Sequence, residues 1–210
     1  MHYHYLTIEG NIGAGKTSLC KMLAHDFNGK LVLEQFADNP FLPHFYKNPA
    51  QYAFPLELFF LAERYQQLKD VAAGKDLFNS YIITDYLFAK SHLFAGINLS
   101  VEEFSLFQRL SQIIQAALPE PDLLVYLHSP VSVILENIAK RGRPYEKDIT
   151  RAYLERIQRA YFDYFKTLPH LRIVVLDVSK VNFVENREHY ERILEVLNRE
   201  QQAGITMMTL

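Results

Sequence analysis

The sequence predicts a doubly wound α/β domain on a five-stranded parallel sheet. Three observations carry that expectation. Short apolar segments alternate with longer helical ones along all 210 residues. Ile82-Ile83, Leu123-Leu124-Val125 and Ile173-Val174-Val175-Leu176 are continuous apolar runs, as expected of strands covered on both faces. Finally, Gly10-Asn11-Ile12-Gly13-Ala14-Gly15-Lys16-Thr17 fits the pattern G-x-x-x-x-G-K-[ST]. It sits between a strand and a helix, where such a loop binds phosphate.

Taken in order, an apolar run over 3–9 is the first strand and 16–28 the first helix, which ends where Asn28-Gly29 tolerates a left-handed turn. Residues 30–34 form the second strand and 52–73 a long helix. Residues 81–85 form the third strand, followed by helix 100–117, which Pro119 and Pro121 close. Strand 123–128 leads to helix 130–140, opened by Pro130. Helix 150–167, strand 172–177 and helix 186–201 complete the pattern. The tail, 204–210, reads as loosely held. There is no repeat or low-complexity linker, so one domain spans 1–210, with a lid at about 140–149.

Composition narrows the function. Hydrophobic residues make up 49% of the chain, enough for a large core, and the net charge is −2. That near balance argues against binding a nucleic-acid polymer, which needs a broad basic surface. The single cysteine, Cys20, gives no intrachain disulfide and reads as a small buried hydrophobe. The eight histidines show no ligand spacing, so no structural zinc is expected; His128 reads as a strand-end residue. No signal peptide is recognisable, and no apolar stretch approaches the ~20 residues that span a bilayer. The expected setting is the cytoplasm.

In a doubly wound sheet, ligands gather at the carboxyl ends of the strands. Loop glycines let successive amides point at a polyphosphate, and the helix N-terminus adds positive potential. Lys16 reaches the outer phosphates; Thr17 holds Mg²⁺; Ser18 follows in the first helical turn. Glu34, ending the second strand, is either a base for an attacking hydroxyl or a solvated carboxylate. Asp85, ending the third, either holds Mg²⁺ from the far side or caps a helix over 86–94. Arg141-Gly142-Arg143 is either a mobile anion clamp or a basic helix end answering the dipole. Glu57 and Arg64, seven apart, share one helix face. They either read the edge of a planar substrate or form a surface ion pair.

With these residues in view, Leu6-Thr7-Ile8-Glu9-Gly10-Asn11-Ile12-Gly13-Ala14-Gly15-Lys16-Thr17 resembles the opening of the deoxynucleoside kinases, and the likeness continues along nearly the whole chain. The resemblance implies ATP-dependent phosphorylation of a nucleoside 5′-hydroxyl, with Mg²⁺, by a homodimer. It makes Glu34 the base and puts Tyr46 and Glu146 on the sugar. Glu57 and Arg64 fall on the base side. Arg141 and Arg143 become the lid, and Asn182-Phe183 the loop around the ATP adenine. Lys90 and Phe94 complete the substrate set.

Three departures stand out. Glu57 replaces the family's base-reading glutamine, so it accepts hydrogen bonds where an amide also donates. Asp85-Tyr86-Leu87 replaces an acid-Arg-Ser triplet, leaving Lys90 to substitute for the arginine. Pro144-Tyr145 replaces more acidic lid residues. Glu57 suits amino-bearing bases, which leans the reading towards purine deoxynucleosides. A thymidylate-type monophosphate kinase shares the loop and lid, but between residues 36 and 56 only Lys47 offers a fixed cation for an acceptor phosphate. A regulatory nucleotide switch would carry a base-specific Asn-Lys-x-Asp-type element, which the sequence lacks.

Overall fold

The computed structural model describes residues 2–35, 39–72, 81–115 and 118–210. Six parallel strands run in the order β2-β3-β1-β4-β5-β6. In chain order these are β1 (Tyr5–Gly10), β2 (Lys30–Val32), β3 (Ile82–Thr84), β4 (Leu123–His128), β5 (Arg172–Asp177) and β6 (Gly204–Thr209). The helices are α1 (Lys16–Phe27), α2 (Leu42–Phe45), α3 (Pro49–Ala72), α4 (Lys90–Asn98), α5 (Val101–Gln115), α6 (Val131–Arg141), α7 (Arg151–Phe165) and α8 (Arg187–Leu197). No helix among the described residues is long and apolar enough to cross a membrane.

The continuous apolar runs have their expected cause. In β4 and β5, alternate residues serve opposite faces of the sheet. Leu123, Val125, Val174 and Leu176 join Leu19 and Leu23 of α1 and Ile193 and Leu197 of α8. Leu124, Tyr126, Ile173 and Val175 join Leu93 of α4 and Ile157, Tyr161 and Phe165 of α7. Cys20 is fully buried in the first layer. Asn28 ends α1 in the left-handed region at φ 48°, and Thr150 and Asn186 cap α7 and α8 by accepting backbone amides.

The structure corrects the strand count. The sheet has six strands, because 204–209 is not loosely held: it pairs with β5 from Arg172↔Gly204 to Asp177↔Thr209. Its side chains alternate between exposed and half-buried, so the segment lacks the continuous run that marks the inner strands. Other boundaries move less. The second strand stops at Val32, leaving Glu34 in the loop beyond it. The long helix starts at Pro49 and continues through Pro55. A separate helix, α4, precedes α5. Position 73 of the expected long helix and positions 116–117 of the next lie outside the described residues.

Chain order reverses about β1: the chain goes first to β2 and β3 on one side, then to β4, β5 and β6 on the other. The crevice at the carboxyl end of β1 is therefore the switch point where a ligand binds.

Ending the chain at residue 203 tests the sixth strand. It would expose the edge of β5 and remove Met208 and Leu210 from the core layer they pack against. At ~1.5 kcal/mol for each side chain, the loss is about 3 kcal/mol. Thermal unfolding should therefore fall by roughly 6–12 °C, measurable by calorimetry.

Candidate active site

β1 delivers the chain into the phosphate loop at Gly10, where backbone crowds the strand end. A Cβ on Gly10 would stand 2.9 Å from the Leu127 carbonyl oxygen of β4. Gly15, with φ +93°, caps α1, and a Cβ there would meet the Phe183 ring at 2.9 Å. Only glycine suits either place. Phe183 is itself buried, so the 182–183 segment packs directly on the loop. Asn182 pairs with Glu185 through its side chain. Asn11 holds the loop from below: its Nδ2 donates to the Leu154 carbonyl at 2.9 Å, and its Oδ1 accepts the Ile12 amide. Ala14 is buried and Ser18 lies in the first turn of α1, whose amides have no helical acceptor.

Lys16 folds back over this loop. Its Nζ donates to the carbonyls of Gly10 and Asn11, both at 2.9 Å. Burial, with Lys90 nearby, pushes its pKa down to about 8. Thr17 Oγ1 donates to Asp85 Oδ2 at 2.6 Å, and Asp85 Oδ1 accepts the Glu34 amide at 2.7 Å. The helix-cap alternative for Asp85 is thereby excluded: α4 is preceded by Ala89 without a side-chain cap.

Glu34 is the electrostatic centre. Lys90 Nζ lies 2.7 Å from its Oε2. Arg64 grips its Oε1 through Nη2, and through Nε at 3.0 Å. A further Arg64 nitrogen, Nη1, donates to Ser91 Oγ at 2.6 Å. Burial alone would push the Glu34 carboxyl up. Lys90 and Arg64 outweigh it and hold the group well below the usual carboxylate range. Here too the sequence reading needs correction. Arg64 and Glu57 share a helix but not a bond, because Arg64 turns to Glu34 and Glu57 takes Asn98 instead. Nor is either at the surface; both are buried.

One pocket joins these groups. Lys16, Thr17, Asp85, Glu34 and Lys90 line it together with Tyr46, Glu57, Phe60, Phe94 and Asn98. Arg141 and Arg143 line it too, each side chain about a third exposed. α6 ends at Arg141, and Gly142 turns the chain at φ +68°. Both arginines grip the buried Glu146, Arg141 by two bonds at 2.6 and 3.1 Å and Arg143 at 3.3 Å. His128 stays apart from the pocket, bonded to Gln158.

Sequence reasoning passed over Glu9. This carboxylate is fully buried at the end of β1. Oε1 accepts the Leu87 amide at 2.7 Å; Oε2 accepts the Tyr161 hydroxyl at 2.7 Å and the Gly10 amide. It thus ties the start of the loop to the segment after β3 and to α7. The available signal was an acid inside an apolar strand. Asn98 and Phe60 were also missed, since nothing local in the sequence places them beside Glu57.

The Glu34 cage has a measurable consequence. A carboxylate whose folded pKa is depressed contributes stability above its ordinary pKa of 4.5 and loses it as pH falls towards the folded value. Replacing Arg64 by leucine leaves Glu34 to Lys90 alone and strips Glu34 Oε1 and Ser91 of their buried bonds, at a cost of about 3 kcal/mol. Urea unfolding should show that deficit in full at neutral pH and a narrowing gap below about pH 4.5.

A sequence model of the deoxynucleoside kinase family matches residues 6–200. A deoxyguanosine kinase of Bacillus subtilis (strain 168) is 36% identical over 193 residues, covering 90% of this chain and 93% of that protein. The deoxyadenosine/deoxycytidine kinase of the same organism is 31% identical over 207 residues, covering 94% of each. A solved structure of deoxyadenosine kinase from M. mycoides shares the fold, with TM-score 0.79 and 23% identity over 92% of this chain and 98% of that one. With the family match running from the phosphate loop through Glu34 and on past Arg141 and Arg143, the chain belongs to the deoxynucleoside kinases.

Proposed function

We propose that this enzyme, which phosphorylates deoxynucleosides with ATP, takes purine deoxynucleosides in the pocket and uses Glu34 as the base for the 5′-hydroxyl. The single observation behind that role is the ionised Glu34, fixed between Lys90 and Arg64 in the pocket that also contains Lys16 and Thr17. A carboxylate there accepts the hydroxyl proton as the oxygen attacks the γ-phosphorus. The purine preference draws on relatives named for deoxyguanosine and deoxyadenosine.

Lys16, the loop amides and the lid arginines neutralise charge on the transferred group. For that, Lys16 must exchange its two carbonyl partners for phosphate oxygens. Arg141 and Arg143 must likewise turn from Glu146 to phosphate, which frees Glu146 for a sugar hydroxyl beside Tyr46. Lys90, bound to Glu34, stands in for the family's arginine. The Thr17 hydroxyl and the Asp85 carboxylate, 2.6 Å apart, are hard oxygen donors of the kind Mg²⁺ takes. Bound there, the ion would supply charge neutralisation on the triphosphate. Asn182 and Phe183 are read as flanking the adenine.

α5 exposes Leu106, Leu110 and Ile113 on one face, an apolar strip that suits a second copy of the chain. A cytoplasmic setting fits the one buried cysteine.

ADP release with Mg·ATP and each of the four deoxynucleosides tests the reading, with dTMP as the competing acceptor. Glu34→Gln should lose ~10²–10⁴-fold in kcat while still binding nucleoside. Turnover confined to dTMP would make the chain a monophosphate kinase. Lys90→Ala should lower kcat with a smaller change in KM; an unchanged kcat would remove Lys90 from the machinery.

A further inference from the structure

Among the carboxylates lining the pocket, Glu57 has no part in phosphoryl transfer. Glu57 is 1% exposed. Its Oε1 accepts Asn98 Nδ2 at 2.7 Å, while its Oε2 is buried without a hydrogen-bond partner. A buried carboxylate oxygen left unmatched is costly, so the site asks a ligand for a donor. No donor of the protein reaches that oxygen. Arg64, on the same helix, is committed to Glu34 and Ser91. Lys90, from α4, is committed to Glu34. Tyr46 and Tyr153 face Glu57 from beyond α2 and from α7 with phenols raised by burial, but Tyr153 pairs with Asn98 and neither hydroxyl bonds Oε2.

We propose that Glu57, oriented by Asn98, selects a purine whose edge presents two adjacent donors, so that the enzyme prefers deoxyguanosine over deoxyadenosine. This rests on the reading of the pocket as a nucleoside site. An ionised carboxylate only accepts. Guanine offers N1–H and a 2-amino group side by side: the free Oε2 takes one, and Oε1 keeps a lone pair for the other. Adenine sets its amino group beside a bare ring nitrogen, whose lone pair would oppose a carboxylate oxygen. Such a mismatch in a polar site rejects a substrate far more strongly than a missing methylene does.

The preference is tied to a proton. Burial pushes Glu57 up to about 7. Asn98, Arg64 and Lys90 oppose the rise, and Glu34 adds to it. A protonated Glu57 donates to the adenine ring nitrogen and accepts from its amino group, and this form fits deoxyadenosine. The ratio of kcat/KM for deoxyguanosine over deoxyadenosine therefore climbs with pH, by up to about tenfold per unit near neutrality. Titration of Lys16 or other groups serving both substrates cancels in that ratio.

The experiment measures kcat/KM for deoxyguanosine, deoxyadenosine and deoxyinosine from pH 6 to 8 on the full chain, Glu57→Gln and Asn98→Ala. In the native enzyme the ratio should rise at least tenfold over that range. Deoxyinosine, with one of the two donors, should fall between the others at pH 8. Glu57→Gln, isosteric and able to donate at any pH, should give a flat ratio shifted at least tenfold towards deoxyadenosine. Asn98→Ala removes a donor that favours the ionised form, so its turnover of preference should move to higher pH. A native ratio that is flat with pH and unchanged in Glu57→Gln overturns the proposal while leaving the kinase reading intact. No ADP release with any nucleoside at any pH would overturn the kinase reading, and the selectivity with it.

Discussion

The active site depends on keeping one carboxylate charged where solvent is scarce. Glu34 lies in the pocket, and the cations around it come from two different helices. Arg64 reaches it from α3 and Lys90 from α4. The Glu34 backbone amide is bound by Asp85, which is bound in turn by Thr17. A continuous polar line thus runs from the first turn of α1, past the ends of β3 and β2, into α3 and on to Ser91 of α4. Removing any one member leaves a buried charge or dipole unmatched, so the elements are held to one another by electrostatics as well as by apolar packing.

The two halves of the pocket are specified in different ways, and this decides what a sequence can reveal. The phosphate half is encoded contiguously: eight residues in a row, 10–17, set backbone geometry, and their meaning survives without tertiary information. Asp85 was equally legible, because strand ends face the crevice in any sheet of this kind. The half around Glu57 is assembled from α2, α3, α4 and α7, whose residues meet only after folding. The seven-residue spacing of Glu57 and Arg64 put them on one helix, but could not say that Arg64 turns to Glu34 and that Asn98 takes its place. Glu9 was hidden by its neighbourhood, an acid that reads as part of the loop motif although it works as a buried brace. β6 was missed because an outer strand covered on one side alone alternates and looks like a polar tail.

Lys90 shows the limits of a likeness. The resemblance to the family proposes it as the replacement for an arginine beside the transferred phosphate. In the fold it is also a principal reason why Glu34 stays ionised and why Lys16 sits low. A compact ammonium serves several neighbours at once because it is a point charge. An arginine's planar fork would instead fix the directions in which its partners lie.

The back-folded Lys16 carries a kinetic and selective meaning. Its two bonds to the loop carbonyls keep the cradle in shape with its own cation as the occupant. A nucleotide entering the cradle therefore competes with the protein itself, and its measured affinity reports a difference between two sets of contacts. A highly charged triphosphate wins that exchange readily. A ligand with less charge gains less from displacing those two bonds, so the loop's own hydrogen bonding favours highly charged ligands whatever base or sugar they carry.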